Sequence, residues 1–325
     1  MPRTNADFNR SRKQKDNEYY TLYQDVADEV GMFLPQLRDM RILCPCDWAS
    51  SYDEHTFYTK EQGIITEPDA NGSQFVRYLV AKAEDFGFKS ITASGFDDRT
   101  GKGVRFQDID YSKYDVIITN PPFSLFGEFI DKLINAEKKF LVIGNHMDGS
   151  LKNIVQYFQL GQIRIGYHYH LSGFLRPDGT MLKKSDSTPR CCQWFTNLDV
   201  DLNQRPLVLT ENYEETPEQY PYYTNYDAIE CTFVKKIPRD YYGQIGVPVT
   251  FLQSFNPNQF EIIGESNDLA TPFRDENNKL CSGRFYYKQP DGKLHRCQPR
   301  LIIKRKQSWI PLQLTNSTTR STTEK

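Results

Sequence analysis

One short turn in this sequence, Asn120-Pro121-Pro122-Phe123, combines residue types that could activate an amino group. The exocyclic amine of a nucleic-acid base is a poor nucleophile because its lone pair is delocalised into the ring. The side-chain oxygen of Asn120 and the carbonyl oxygen of Pro121 could each accept one amine hydrogen and so direct the lone pair at an electrophile. Pro122 would stiffen the turn, and the Phe123 ring could stack on the base. This chemistry depends on orientation and electrostatics and needs no titrating residue.

The sequence on either side of this turn predicts a strand before it and a helix after it. Residues 116–118 form a β-branched run that is typical of a buried parallel strand. Proline cannot donate to a sheet ladder, and the residue before a proline is disfavoured in a helix, so the strand must end at Asn120. A helical pattern begins at Ser124. It places the following apolar side chains on one side: Leu125, Phe126, Phe129, Ile130, Leu133 and Ile134.

This order of strand, rigid turn and helix places residues 120–123 at the carboxyl end of a parallel strand. Open α/β sheets bind their ligands at that edge. The alternative is an ordinary strand-to-turn junction, because Asn-Pro pairs mark turns in many proteins. The apolar strand before the turn and the amphipathic helix after it favour the functional interpretation.

Other segments predict further elements of the same sheet. Residues 41–47 predict a first strand that ends at Asp47, and residues 89–95 predict a second strand. Ser73 is expected to cap a helix that stops at Gly87. Residues 51–72 are polar and contain Gly and Pro, so we interpret them as a surface excursion. Later strands are predicted at residues 140–144, 162–166 and 192–196.

The composition narrows the class of protein. A net charge of −2 over 325 residues argues against a generally basic surface but leaves room for one basic face. No apolar run is long enough to span a bilayer and nothing reads as a signal peptide, so we expect a soluble cytoplasmic protein. Seven scattered cysteines argue against a disulfide framework. Their spacings do not match the usual pairs of zinc ligands, so we expect no metal site.

The turn resembles the catalytic tetrapeptide of methyltransferases that use S-adenosylmethionine to methylate amino or amide nitrogens. More of the chain resembles the EcoRI-type adenine-specific DNA methyltransferase family. The segments that carry this second resemblance extend over nearly the whole chain and are residues 16–21, 120–131, 138–145, 246–252, 256–257 and 259–264.

The resemblance implies a fold and a reaction. The fold is an α/β class I methyltransferase fold, a Rossmann-like, twisted, mostly parallel sheet with a C-terminal DNA-recognition region. The reaction is methyl transfer from S-adenosylmethionine to the N6 amine of adenine in double-stranded DNA. The target adenine must be flipped out, because its amine lies inside the duplex. Two alternative functions stay open. One is methylation of an RNA base or a protein glutamine, and the other is DNA binding without catalysis by a degenerate methyltransferase core.

The resemblance also suggests residues for the cofactor. Tyr20 and Thr21 occupy the position of a pair that helps to line the cofactor pocket in the family. Asp47 would lie near the methionine end of S-adenosylmethionine, although the turn after it lacks the usual glycines. Asp97 would hold ribose hydroxyls, and Asp108 would face the adenine. The alternatives are a helix-capping aspartate at Asp47, a plain turn at Asp97 and a solvated loop at Asp108.

We divide the chain into a flexible basic arm (residues 1–15), a methyltransferase core (16–200), a target-recognition region (201–310) and a disordered tail (311–325). The third segment is rich in Tyr, Pro, Asn and Asp, and basic residues cluster late in it, which favours DNA recognition over a structural extension with a solvated basic end. These basic residues are Arg296, Arg300, Lys304, Arg305 and Lys306. We expect the protein to bind double-stranded DNA and no membrane, and a monomer is compatible with the sequence. A restriction endonuclease that acts on the same site is a candidate partner.

Overall fold

The computed structural model describes residues 20–47, 53–70, 72–97, 100–175, 180–183, 191–201 and 205–307. The arm predicted at residues 1–15 and the tail predicted at residues 311–325 lie outside the described residues. Within the described part, none of the helices combines the length and the apolar character needed to cross a membrane.

The described residues form an α/β protein with five α-helices and twenty-one mostly short strands. The helices are α1 (Tyr23–Phe33), α2 (Gln74–Phe86), α3 (Phe126–Asn135), α4 (Lys152–Gln159) and α5 (Ser266–Leu269). The first thirteen strands are β1 (Tyr20–Thr21), β2 (Arg41–Pro45), β3 (His55–Thr59), β4 (Gly63–Ile64), β5 (Ser90–Ser94), β6 (Phe96–Asp97), β7 (Lys102–Gly103), β8 (Val116–Thr119), β9 (Lys139–Asn145), β10 (Arg164–Tyr169), β11 (Gly173–Leu175), β12 (Met181–Lys183) and β13 (Cys192–Thr196). The remaining strands are β14 (Ile229–Glu230), β15 (Gln244–Pro248), β16 (Phe260–Glu265), β17 (Phe273–Arg274), β18 (Leu280–Cys281), β19 (Tyr286–Lys288), β20 (Leu294–Arg296) and β21 (Arg300–Arg305).

Eight strands form the main sheet, in the order β10-β13-β9-β8-β2-β5-β3-β4. The central neighbours β9, β8, β2 and β5 pair in parallel, whereas the pairs on both flanks are antiparallel. Of the four flanking strands in this sheet, β3 and β13 run antiparallel to the central strands. The outermost strands β4 and β10 pair antiparallel with β3 and β13, so they run in the same direction as the central strands. The sheet is therefore mixed, and the expected parallel pairing holds for its centre but not for its flanks.

The strand before the turn is buried on both faces. Val116 and Ile118 belong to a core that includes α1 and α2, whereas Ile117 belongs to a second core that includes α3 and α4. All three side chains have no exposed surface. This two-sided burial is the physical reason for the continuous apolar run in the sequence and confirms the predicted strand.

Both predicted helices form close to their expected limits. The helix expected from Ser124 begins as a 3₁₀ turn at Phe123–Leu125 and continues as α3. Ser73 accepts a hydrogen bond from the backbone N–H of Val76 at 3.3 Å and so caps α2. Gly87 ends α2 with a left-handed φ of 66°, a conformation that glycine adopts without steric cost.

The interpretation of residues 51–72 as a surface excursion is wrong for residues 55–59. These residues form β3, which pairs with β5 inside the main sheet. Phe57 and Tyr58 are 1% and 3% exposed and pack in the same core as α1 and α2. The polar residues on both sides of β3 made the segment resemble a loop in the sequence. Its two aromatic side chains nevertheless pack in this core.

A second sheet, in the order β14-β15-β21-β16, follows in the C-terminal part of the chain. It packs against α4, and Gln159 at the end of α4 donates hydrogen bonds to the carbonyls of Ile262 and Ile263 at 3.0 Å. One hydrophobic core contains Ile117 of the main sheet together with Ile303 of the second sheet. This core therefore crosses the boundary at residue 200, although a second core lies entirely before it and a small third core entirely after it. The domain division stays a prediction.

The late basic residues do not form one solvent-exposed face. Arg300 and Arg305 are 8% and 6% exposed, because β21 lies between β15 and β16. The Arg300 guanidinium makes a buried ion pair with Glu230 at 2.8 Å, and the Arg305 guanidinium lies over the Tyr242 ring. A buried cation requires such partners. These two arginines therefore do not contribute to an exposed basic surface, and the DNA-recognition role of the region stays a prediction.

Candidate active site

The carboxyl ends of the four parallel strands meet at one edge of the main sheet, at Pro45, Ser94, Thr119 and Asn145. The turn at residues 120–123 follows β8 at this edge. The turn therefore lies where the sequence predicted, at the place where open α/β sheets bind ligands. The roles of its four residues stay predictions.

The backbone of the turn is fixed on both sides. Pro121 is buried and Pro122 is exposed, whereas Asn120 and Phe123 are partly buried. The N–H of Leu125 donates to the carbonyl of Pro122 at 2.9 Å, which starts the helical turn immediately after the prolines. The turn is thus held between a buried strand and a helix, with two residues of fixed φ between them.

Asp47 is connected directly to the end of β8. Thr119 Oγ1 lies 2.5 Å from Asp47 Oδ2, and Ser73 Oγ donates to Asp47 Oδ1 at 2.9 Å. Burial raises the pKa of Asp47 to about 7, although these two hydrogen bonds oppose the shift. Thr119 has one hydroxyl hydrogen and also lies within hydrogen-bond distance of the Pro45 carbonyl. If Asp47 is protonated, its carboxyl group can donate a hydrogen bond to Thr119 Oγ1. The Thr119 hydroxyl can then donate its own hydrogen to the Pro45 carbonyl.

The turn after β2 compensates for its missing glycines. Cys46 adopts a left-handed φ of 73°, which is uncommon for a residue with a side chain. The N–H of Asp47 then donates to the carbonyl of Ser94 at 3.0 Å. The backbone therefore makes a tight turn at the position where a glycine is usual in nucleotide-binding sheets.

Tyr20 and Thr21 reach the turn through another strand. They form β1, which pairs with β11 so that Thr21 lies opposite Phe174. The Phe174 ring packs against the Phe123 ring, edge to face, with centroids 6.3 Å apart. The structure therefore places the predicted pair Tyr20-Thr21 next to the turn, although about 100 residues separate them in the sequence.

Two acidic residues that the sequence analysis missed hold the end of β10 and the loop between β10 and β11. Glu29 on α1 is completely buried and accepts hydrogen bonds from the N–H groups of Tyr167 and His168, each at 2.8 Å. Asp25, one helical turn earlier, accepts the N–H of Ser172 at 2.9 Å. Acidic residues spaced four apart within an apolar helix face were the available signal.

The other two predicted cofactor residues, Asp97 and Asp108, lie in different parts of the structure. Asp97 lies on β6, directly after the carboxyl end of β5, and accepts a hydrogen bond from Thr100 Oγ1 at 2.9 Å. Asp108 is exposed on a 3₁₀ turn, Phe106–Asp108, that packs against α3 through Phe106 and Phe129.

The residues around this edge suit a polar ligand. Thr21 Oγ1 and Ser94 Oγ are buried and have no hydrogen-bond partner within the described part of the chain. A buried hydroxyl without a partner is costly, and a polar group of a ligand would remove that cost. Together with the Asp47 carboxyl group, these hydroxyls fit a ligand that carries hydroxyl groups and a cation. Among the described residues, no three His, Cys, Asp or Glu side chains are grouped so that they could hold a metal ion.

Comparison with known proteins identifies relatives of the chain. A family model described as the adenine-specific methyltransferase EcoRI matches residues 109–306, which include the turn and the second sheet. The chain is 32% identical over 294 residues to the type II methyltransferase M.EcoRI of Escherichia coli, with 80% of this chain and 89% of the relative covered. This confirms the resemblance that the motifs predicted.

Two mycoplasma proteins are similar to a comparable degree. The type II methyltransferase M.MpnI of Mycoplasma pneumoniae is 29% identical over 306 residues, covering 82% of this chain and 86% of the relative. The type II methyltransferase M.MgeORF184P of Mycoplasma genitalium is 31% identical over 281 residues, covering 82% and 87%. No solved structure gives a significant match.

Proposed function

The chain belongs to the EcoRI-type adenine-specific methyltransferase family, and on this premise we propose that it methylates the N6 amine of adenine in double-stranded DNA. The observation that carries the proposal is the position of Asn120-Pro121-Pro122-Phe123 at the carboxyl edge of the parallel strands, one residue beyond the Thr119 that contacts Asp47. The three relatives are named type II methyltransferases, which supports DNA as the substrate.

In the proposed reaction, Asn120 and Pro121 orient the adenine amine. The side-chain oxygen of Asn120 and the carbonyl oxygen of Pro121 each accept one amine hydrogen. The nitrogen becomes more pyramidal and its lone pair points away from the ring. The fixed backbone of the turn means that little reorganisation is needed when the amine arrives.

Phe123 is proposed to stack on the adenine after the base has left the duplex. The amine cannot reach the turn while the base is paired, so base flipping precedes the reaction. Phe174 packs edge to face against Phe123 and therefore fixes the orientation of the ring that the base would meet.

The cofactor is proposed to be S-adenosylmethionine, which supplies an electrophilic methyl group on a sulfonium centre when it is bound. Asp47 would hold its ammonium group, and the buried hydroxyls of Thr21 and Ser94 would accept or donate hydrogen bonds to its polar groups. Asp97 lies after the next strand and is proposed to hold the ribose hydroxyls. An adenine contact stays a proposal for Asp108, whose side chain is exposed on the turn Phe106–Asp108.

The finer fold class is also a proposal. The parallel centre of the main sheet, with helices on both faces, supports a Rossmann-like class I methyltransferase core. The second sheet and its loops are proposed to form the DNA-recognition region. This proposal is supported by a contact between the loop after β9 of the main sheet and the loop after β15 of the second sheet. Both sheets therefore contribute to the same side of the molecule.

The test is methyl transfer from labelled S-adenosylmethionine to unmethylated genomic DNA, followed by single-molecule sequencing for modified adenine. N6-methyladenine at one short motif is the expected result. Label on RNA or protein instead of DNA would assign the turn to another amine. Cofactor binding without label on DNA, RNA or protein would overturn the proposed reaction.

A further inference from the structure

A loop of the second sheet lies directly beside the carboxyl edge of the main sheet. The 3₁₀ turn Val249–Ser254 follows β15, and the 3₁₀ turn His146–Ser150 follows β9. A Cβ atom built on Gly149 would lie 2.6 Å from Leu252 Cδ1, so the two turns are in close contact and a larger residue at 149 would displace the Leu252 side chain. Since β9 is the neighbour of β8, the loop after β15 is adjacent to the edge that carries Asn120.

A groove of about 390 Å³ opens between this loop and the segment at residues 232–235. Its lining includes Thr232, Phe233, Lys235, Thr250, Gln253 and Ser254. These are one aromatic ring, one cation and four hydroxyl or amide groups. None of them carries negative charge at neutral pH.

Both walls of the groove are fixed by hydrogen bonds. On one wall the N–H of Lys236 donates to the carbonyl of Phe233 at 2.9 Å, which closes a 3₁₀ turn. On the other wall Tyr169 Oη donates to the carbonyl of Gln253 at 3.1 Å, and Gln253 Nε2 donates to Gln193 Oε1 at 2.9 Å. Tyr169 and Gln193 belong to β10 and β13 of the main sheet, so the groove is built onto the sheet that carries the turn.

The side chains in the groove are available for a ligand. The Phe233 side chain is 55% exposed, so one face of its ring is accessible to a ligand. Lys235 is exposed and makes no ion pair with any of the described residues. Its neighbour Lys236, in contrast, donates a hydrogen bond to Gln219 Oε1 at 3.1 Å and does not line the groove.

We propose that this groove holds the DNA strand next to the target adenine, with Lys235 on a phosphate and Phe233 against a base. The proposal rests on the proposed methylation of DNA, because that reaction brings a DNA strand to the adjacent edge. A polyanion whose bases have flat apolar faces requires the combination found here, which is a cation, hydroxyl and amide donors, and an exposed aromatic ring. A flipped-out base also leaves its neighbours unstacked, and an aromatic ring can cover one of them.

The first test compares Lys235→Gln with Lys236→Gln, two changes that remove one positive charge from adjacent positions. Binding of a fluorescent random-sequence DNA duplex to the full chain is measured over a range of salt concentrations. We expect Lys235→Gln to reduce the slope of log K against log salt by about 1 and to weaken binding roughly eightfold near 0.1 M salt. Lys236→Gln should change the slope little. Equal slopes for the two variants would overturn the proposal.

The second test concerns Phe233. Phe233→Ala should weaken binding roughly tenfold for a duplex that carries one mispaired adenine, which leaves the helix easily and exposes its neighbouring base. Phe233→Tyr should bind this duplex like the unchanged protein, because it keeps the aromatic face. Unchanged affinity of the alanine variant would overturn the stacking contact. Melting temperatures and affinity for S-adenosylmethionine should match those of the unchanged protein, which separates a DNA contact from a folding defect.

Different results would overturn the DNA groove and the methylation reaction. Methyl transfer to DNA with no selective effect of Lys235→Gln would leave the reaction standing and remove the groove as the DNA site. A selective effect of Lys235→Gln on duplex binding, without any methyl transfer to DNA, would keep the groove as a DNA site and overturn the reaction.

Discussion

Asn120 contributes an acceptor to the proposed site and no proton, so its replacement should affect turnover much more than binding. We expect Asn120→Ala to lower kcat for methyl transfer by at least about 100-fold, the usual loss when one preorganised polar contact to a reacting group is removed. Affinity for S-adenosylmethionine should change little. The assay is single-turnover transfer of labelled methyl groups to DNA.

Asn120→Asp is the matched control, because an aspartate keeps a side-chain oxygen at the same distance from the backbone. It should retain more activity than the alanine variant. Turnover of Asn120→Ala at the level of the unchanged protein would contradict the role proposed for this side chain.

Asp47 should make cofactor binding depend on pH. Burial raises the pKa of Asp47 to about 7, so its carboxyl group is mostly protonated at pH 6 and mostly ionised at pH 8. A bound ammonium group favours the ionised form, so affinity for S-adenosylmethionine should increase as the pH rises from 6 to 8. Asp47→Asn should bind more weakly at pH 8 and lose this pH dependence.

Titration calorimetry at several pH values measures both effects. Protons should be released when the unchanged protein binds the cofactor near pH 7 and not when the Asn variant does. An identical pH dependence in the two proteins would show that another group is responsible.

At the scale of elements, α1 holds the end of β10 and the loop that connects β10 to β11. Glu29→Gln should lower the free energy of unfolding by about 1–3 kcal/mol, because it weakens the acceptor for the buried N–H groups of Tyr167 and His168. It should also lower kcat, since the loop leads to Phe174, which contacts Phe123. Asp28→Asn is the control, because Asp28 is exposed on the same helix.

The effect of Glu29→Gln should also depend on pH. The Glu29 carboxylate raises the pKa of His168 through a 2.8 Å contact with its Nδ1 atom. A raised histidine pKa stabilises the fold at pH values below the unfolded pKa, and this stabilisation is lost as the pH rises through the folded pKa. The difference in melting temperature between the variant and the unchanged protein should therefore be larger at pH 6 than at pH 9. A difference that does not vary with pH would contradict the ion pair.

At the scale of the whole molecule, the two sheets should unfold together. One hydrophobic core includes Ile117 of the main sheet, Ile154 and Phe158 of α4, and Ile262 and Ile303 of the second sheet. A shared core predicts one cooperative transition, with the same midpoint by circular dichroism and by tryptophan fluorescence. A fragment that ends at residue 200 should aggregate, because it exposes the α4 surface that β16 covers. Two separate transitions, or a folded fragment, would support independent domains instead.

The sequence by itself determined the local features that follow from short-range rules. Proline ends β8 at the turn, and Ser73 and Gly87 set the two ends of α2, because these preferences depend on the backbone of a few neighbouring residues. The run at residues 116–118 indicated a strand that is buried on both faces. The family followed from motifs that are spread along the chain.

Only the tertiary structure decided which distant residues meet. Asp47 contacts Thr119, 72 residues later, and Thr21 lies opposite Phe174, because strand order and register bring them to one edge. The same packing buries Arg300 beside Glu230, although in the sequence Arg300 belongs to a cluster of basic residues. Such contacts depend on how whole elements pack, and a residue type or its local spacing carries no information about a partner that folding supplies from far along the chain.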